Sequence, residues 1–101
     1  MPRKRLEPIH PGALLAEDME DMGISINRLA RDTRMSLSRV SELVNGKRAI
    51  TAETALRLAR YFGTTPQYWM NLQLRYDLET AQDQWSTRIR AEILPYRDAV
   101  A

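Results

Sequence analysis

Between Ser25 and Ile50 the chain carries two short amphipathic helix patterns, with room for nothing but a tight corner between them. The first turns Ile26, Leu29 and Ala30 to one side, and the second turns Leu37, Val40, Leu43 and Val44. That is the three-and-four spacing of helices with one buried face. Helices joined so closely must cross steeply, which demands a small residue at the crossing, and Ala30 supplies it. Leu29, Met35, Val40 and Leu43 then lock the angle, each contributing about 1.5–3 kcal/mol when fully buried. Left outward on the second helix are Ser36, Ser38, Arg39, Ser41, Glu42 and Asn45, followed by Gly46, Lys47 and Arg48. Hydroxyls, an amide and cations are the groups that bond base edges and phosphates, and a helix held at this angle fits the major groove. Residues 25–48 read as a helix-turn-helix.

Punctuation on either side extends the helical reading. Pro11 suits a first helical position, since its missing N–H would have no partner there. A helix from Pro11 through Ala13, Leu14, Leu15, Ala16 and Met19, with Met22 near its end, stops at Gly23. Ser25 caps the next, Ser36 or Ser38 the third, and Asn45-Gly46 ends that one. Thr51 opens a fourth helix with apolar positions at Ala52, Ala55, Leu56, Ala59 and Phe62, closed by Gly63. Thr65-Pro66 starts a long fifth, along which Trp69, Leu72, Tyr76, Ala81, Trp85 and Ile89 form one stripe, widened by Met70, Leu74 and Leu78. Leu94-Pro95 ends helical structure, leaving 96–101 as a short tail. The expected fold is all-α. A basic arm occupies 1–10, a five-helix domain 11–80, and the end of helix five with the tail, an expected dimer contact, 81–101.

Composition excludes several function classes. Across 101 residues there is no cysteine and only one histidine, so neither a disulfide framework nor a His-rich metal site is available. His10 has no second histidine and no nucleophile beside it, and reads as a capping or packing residue before Pro11. No Gly-rich phosphate loop or base–nucleophile pair is present, so neither catalysis nor a cofactor is expected. No apolar run is long enough to span a membrane, and the expected location is the cytoplasm.

The net charge of +2 is uninformative, but its distribution is not. Arg3, Lys4 and Arg5 make a cationic arm suited to phosphate or a minor groove. Glu7, Glu17, Asp18, Glu20 and Asp21 follow with no Lys or Arg among residues 6–23, and Arg28, Arg31, Arg34, Arg39, Lys47 and Arg48 then outweigh Asp32 and Glu42. Charges so segregated suit two different partners, although solvated faces are also commonly charged.

The wording of the chain resembles the XRE-type helix-turn-helix group, whose prototype is the lambda repressor fold. The resemblance rests on His10-Pro11-Gly12, Leu29-Ala30, Val40-Ser41, Asn45-Gly46-Lys47-Arg48, Ile50-Thr51, Ala55-Leu56, Leu58-Ala59 and Phe62-Gly63. Thr65-Pro66, Trp69, Asn71-Leu72-Gln73 and Tyr76-Asp77-Leu78 narrow it to the HigA (VapI-like) antitoxins, over about residues 8 to 80. Arg34 stands where such proteins usually have glycine in the turn. The resemblance implies an autorepressor that binds a palindromic double-stranded operator as a homodimer and neutralises a HigB-like, RelE-like ribonuclease toxin.

On that reading Ser36, Ser38, Arg39 and Ser41 face bases or nearby phosphates, Arg39 bonding guanine, while Asn45, Lys47 and Arg48 hold the backbone. Trp69, Tyr76 and Trp85 are either core or a dimer seam, with base stacking a third possibility. Glu17, Asp18, Glu20 and Asp21 form a candidate toxin-facing surface, because a ribonuclease must be basic to hold RNA. A stand-alone XRE regulator without a toxin is the alternative function. A helical adaptor that never touches DNA is a third, separable because its binding would ignore salt.

Overall fold

The computed structural model describes residues 7–99; the Arg3-Lys4-Arg5 arm and the last two residues of the 81–101 segment lie outside the described residues. Helices α1 (Pro11–Met22), α2 (Ile26–Thr33), α3 (Leu37–Val44), α4 (Ala52–Phe62) and α5 (Pro66–Glu92) follow one another, and no strand occurs among the described residues. Each starts where a side chain accepts an N–H that the first turn leaves unpaired. His10 Nδ1 accepts from Gly12 at 2.9 Å, Ser25 from Arg28 at 3.1 Å and Ser36 from Arg39 at 3.1 Å. Thr51 and Thr65 cap α4 and α5 in the same way. The tail departs from expectation: Tyr96–Ala99 makes a single helical turn, α6, after Pro95. Ile93 is extended, at φ −121° and ψ 118°, so α5 ends at Glu92, three residues before the proline.

The helices pack around one core. α3 lies against α1 and α2, α4 against α2 and α5, and α5 also touches α1. Leu15, Leu29, Val40, Leu43, Ala55 and Leu58 are fully buried there with Ala30, Met35 and Ile50. Trp69 is 1% exposed, and its indole N–H donates to Thr64 Oγ1 at 2.8 Å. Trp69 is therefore a core residue and cannot contribute to a dimer seam. Gln73, also buried, accepts from the Ile50 N–H at 2.8 Å and donates to Asp77 at 2.9 Å. It thus pairs a buried backbone donor in the α3–α4 connection that no helix could satisfy.

Two close fits decide how α3 is held. A Cβ on Gly12 would stand 1.7 Å from the Leu43 carbonyl oxygen, so only glycine lets the start of α1 lie on the end of α3. At the helix-turn-helix corner, Arg34 adopts φ 58°, the one non-glycine positive φ among the described residues. A left-handed side chain costs about 1–2 kcal/mol. Arg57 bonds the adjacent carbonyls of Thr33 and Arg34, at 3.0 and 3.5 Å, from α4.

Burial corrects the expected core at its edges. Leu37 and Leu56, both read as core, are 53% and 59% exposed. Periodicity marks the apolar face of a helix, but not how far along that face a neighbour reaches. The α5 stripe behaves likewise: Leu72 and Tyr76 are half-buried, whereas Met70, Leu74, Leu78, Ala81, Trp85 and Ile89 are exposed.

Candidate nucleic-acid interface

The surface of interest begins at the N-terminal end of α3. Ser36, Leu37 and Ser38 are exposed there, while Ser41 and Glu42 are half-buried. Arg39 departs from expectation. Its side chain is only 21% exposed, and Nη2 donates to Thr54 Oγ1 at 2.6 Å and to Glu53 Oε1 at 3.3 Å. The outward Arg39 of the sequence reading is thus corrected: α4 offers a buried hydroxyl and a carboxylate within reach, and the guanidinium turns to them.

Glu53 joins two cations. Arg57 Nε donates to its other carboxylate oxygen at 3.0 Å. That bond, and next the charge of Arg39, hold the Glu53 carboxyl below the usual range. On the neighbouring edge, Tyr61 donates to Asp32 at 2.7 Å, which chiefly lowers the Asp32 pKa and raises that of the phenol in return. These contacts fasten α4 to both halves of the helix-turn-helix.

The far end of α3 presents a second cluster. Asn45 Nδ2 donates to the Ser41 carbonyl at 2.8 Å, closing the last turn. Arg48 reaches back to Glu42 at 2.6 and 3.0 Å. Lys47 is exposed and makes no ion pair among the described residues. The His10 ring stands against Gly46 in this turn, Cγ lying 3.5 Å from where a Cβ would be, and packs edge-on to Tyr76 at 4.9 Å. His10 is accordingly the capping and packing residue expected.

The acidic residues of α1 lie on a helix that packs against α3 and α5. Glu17, Glu20 and Asp21 are exposed and Asp18 is half-buried. Of the three residues expected at a dimer seam, only Trp85 is well exposed, at 41%.

A helix-turn-helix family profile matches residues 15–69, more than half of the chain. Virulence-associated protein I of Dichelobacter nodosus is 46% identical over 89 residues, covering 86% of this chain and 82% of that protein. An addiction module antidote protein of the HigA family from Coxiella burnetii superposes with a TM-score of 0.87 at 46% identity, over 90% of this chain and all of that one. The chain belongs to the HigA family. A further relative, the Pseudomonas aeruginosa antitoxin HigA, was solved with its higBA promoter; it matches at TM-score 0.86 and 42% identity, over 89% of this chain and 99% of that one.

Within this HigA fold, sequence reasoning missed Glu53, Thr54 and Arg57 as partners of the helix-turn-helix. The Glu53–Arg57 pair is visible as an i,i+4 spacing. Nothing local points to Arg39, which lies fourteen residues from Glu53.

The His10 cap carries a pH dependence. Its Nδ1 accepts a hydrogen bond only when unprotonated, and burial, opposed by the charge of Asp77, lowers its pKa below the free value of 6.5. The unfolded chain therefore takes up this proton first, so stability is complete above about pH 6.5 and declines as pH falls through the depressed folded value. The urea midpoint should drop between pH 7.5 and pH 5, and His10→Asn, which keeps a capping acceptor, should flatten that drop. An equal decline in the variant would exclude His10 as its source.

Proposed function

We propose that this protein is the antitoxin of a toxin–antitoxin pair: it binds operator DNA, represses its own operon and neutralises a HigB-like ribonuclease in the cytoplasm. The observation that carries the reading is the α3 surface, an uncovered helix start bearing Ser36, Leu37 and Ser38 with an exposed Lys47 just past the helix end. A helix N-terminus carrying exposed serine hydroxyls suits a phosphate or a base edge, and a lysine at the turn suits the backbone. The promoter complex of the Pseudomonas relative supports the same use of the fold.

In this reading Ser36, Ser38 and Ser41 face bases or nearby phosphates, and Asn45, Lys47 and Arg48 lie along the backbone. Arg48 must exchange Glu42 for phosphate, while Arg39 braces α3 against α4. Binding to DNA from upstream of the gene should weaken steeply with salt. Lys47→Ala should weaken operator and random DNA alike and lower the log–log salt slope by about one. Salt-independent association, or no protection of the upstream DNA, would reject DNA binding.

A homodimer with a palindromic operator is part of the proposal, because two half-sites sit about 34 Å apart. The support is α5, whose 27 residues run about 40 Å. Beyond Tyr76 the stripe of Leu78, Ala81, Trp85 and Ile89 recurs at helical spacing and is left exposed, the pattern of a face awaiting another helix. Trp85→Glu should convert the dimer to monomer in analytical ultracentrifugation; an unchanged sedimentation coefficient would remove Trp85 from the seam.

Toxin recognition is proposed for the outer face of α1, where Glu17, Glu20 and Asp21 offer carboxylates to a basic nuclease. Reversing Glu17 and Glu20 to lysine should weaken binding of the ribonuclease encoded beside this gene by about ten-fold or more. Unaltered toxin affinity would reject α1 as the docking face.

A further inference from the structure

We infer that Leu37 is a base-reading residue of α3 and that it selects a thymine through its C5 methyl group. The inference rests on the proposed DNA binding and goes beyond it by naming the residue and the base. Leu37 is the first residue of α3, immediately after the Ser36 cap, and is 53% exposed between two exposed serines. It lies at the end of the apolar face that no neighbouring helix reaches, whereas Val40 and Leu43 of the same helix are fully buried. A large aliphatic side chain left uncovered at the end of a recognition helix is placed where side chains reach base edges.

The obvious competitor for that role is occupied. Arg39 Nη2 is bonded to the buried Thr54 hydroxyl and to Glu53, so its guanidinium is turned toward α4. A bidentate bond to guanine would compete with these two bonds for Nη2. Leu37 gives up nothing, because it makes no polar contact.

Its chemistry narrows the target. On the major-groove edges of the four base pairs, the thymine C5 methyl is the one projecting alkyl group; cytosine carries only a hydrogen at C5, and the groups that identify the other bases are hydrogen-bond donors and acceptors. An isobutyl group over guanine or cytosine would strip water from polar atoms and return no bond, whereas over thymine it buries methyl against methyl. Ser36 and Ser38 flank it with hydroxyls able to serve adjacent phosphates or polar edges. Discrimination at this position is thus partly by attraction to thymine and partly by the unpaired groups any other base would leave.

Replacing thymine by deoxyuridine deletes that methyl and nothing else. With the operator footprint established, each thymine in one half-site is replaced in turn, and the dissociation constants of the wild type and Leu37→Ala are measured. At one position the uracil operator should bind the wild type about four-fold more weakly, the worth of one buried methyl. Leu37→Ala should bind the thymine and uracil operators equally at that position. Because Leu37 is exposed, the variant should keep the wild-type melting midpoint and sedimentation coefficient.

The inference is overturned if no thymine methyl matters to the wild type, or if Leu37→Ala retains the same four-fold difference. A variant that dissociates into monomers would instead assign Leu37 to a protein contact and overturn it too. Absence of any operator footprint for the wild type would sink the DNA-binding reading itself, a result distinct from these and fatal to both.

Discussion

The placement of α3 depends on a missing methyl group. At Gly12 the start of α1 comes so near the Leu43 carbonyl that any side chain would overlap it, and this contact fixes the C-terminal end of the recognition helix. His10 caps α1 at the same point and covers Gly46, so one short stretch of chain both begins a helix and clamps the α3–α4 turn. At the other end Arg39 is bonded to α4, and between the two Val40 and Leu43 anchor the helix in the core. Eight residues could not hold a helix on their own, since so short a segment is marginal in water. Tertiary contacts at both ends supply what propensity cannot.

The polar contacts around α3 direct more than they stabilise. Exposed ion pairs such as Arg48–Glu42 are worth about 0–1 kcal/mol, so exchanging one for a phosphate is cheap. The Arg39 bond to buried Thr54 is costlier to break, because it would leave a hydroxyl in the interior with fewer partners. The same difference separates a side chain that can swing to DNA from one that holds the frame. The corner shows a related balance: Arg34 occupies a left-handed conformation at some strain, and Arg57 reaches across from α4 to bond the carbonyls beside it. Strain tolerated at a corner that orients a binding surface is a recurrent property of such sites.

The sequence by itself determined the helices and their ends, because those signals are local. Ser25, Ser36, Thr51 and Thr65 each bond an N–H three residues on, Pro11 and Pro66 start helices, and Gly23 and Gly63 end them. Ala30, Leu29, Val40 and Leu43 were legible as core for the same reason: helical spacing defines a face within one turn of chain. The family, too, was legible, since its wording is carried by contiguous residues.

Only the tertiary structure decided which parts of each apolar face are covered and which polar residues find partners. Trp69 and Trp85 share a stripe, yet the first is core and the second is bare, because α4 and α1 accompany only the beginning of α5. Leu37 and Arg39 exchange their expected places, one outward and one tied down, because a hydroxyl and a carboxylate fifteen and fourteen residues away come within bonding distance of the guanidinium. Gln73 meets Ile50 across twenty-three residues, and Gly12 meets Leu43 across a longer span. Spacing along a chain encodes direction around a helix axis; it carries no information on which other helix stands opposite, and that is set only when the whole core closes.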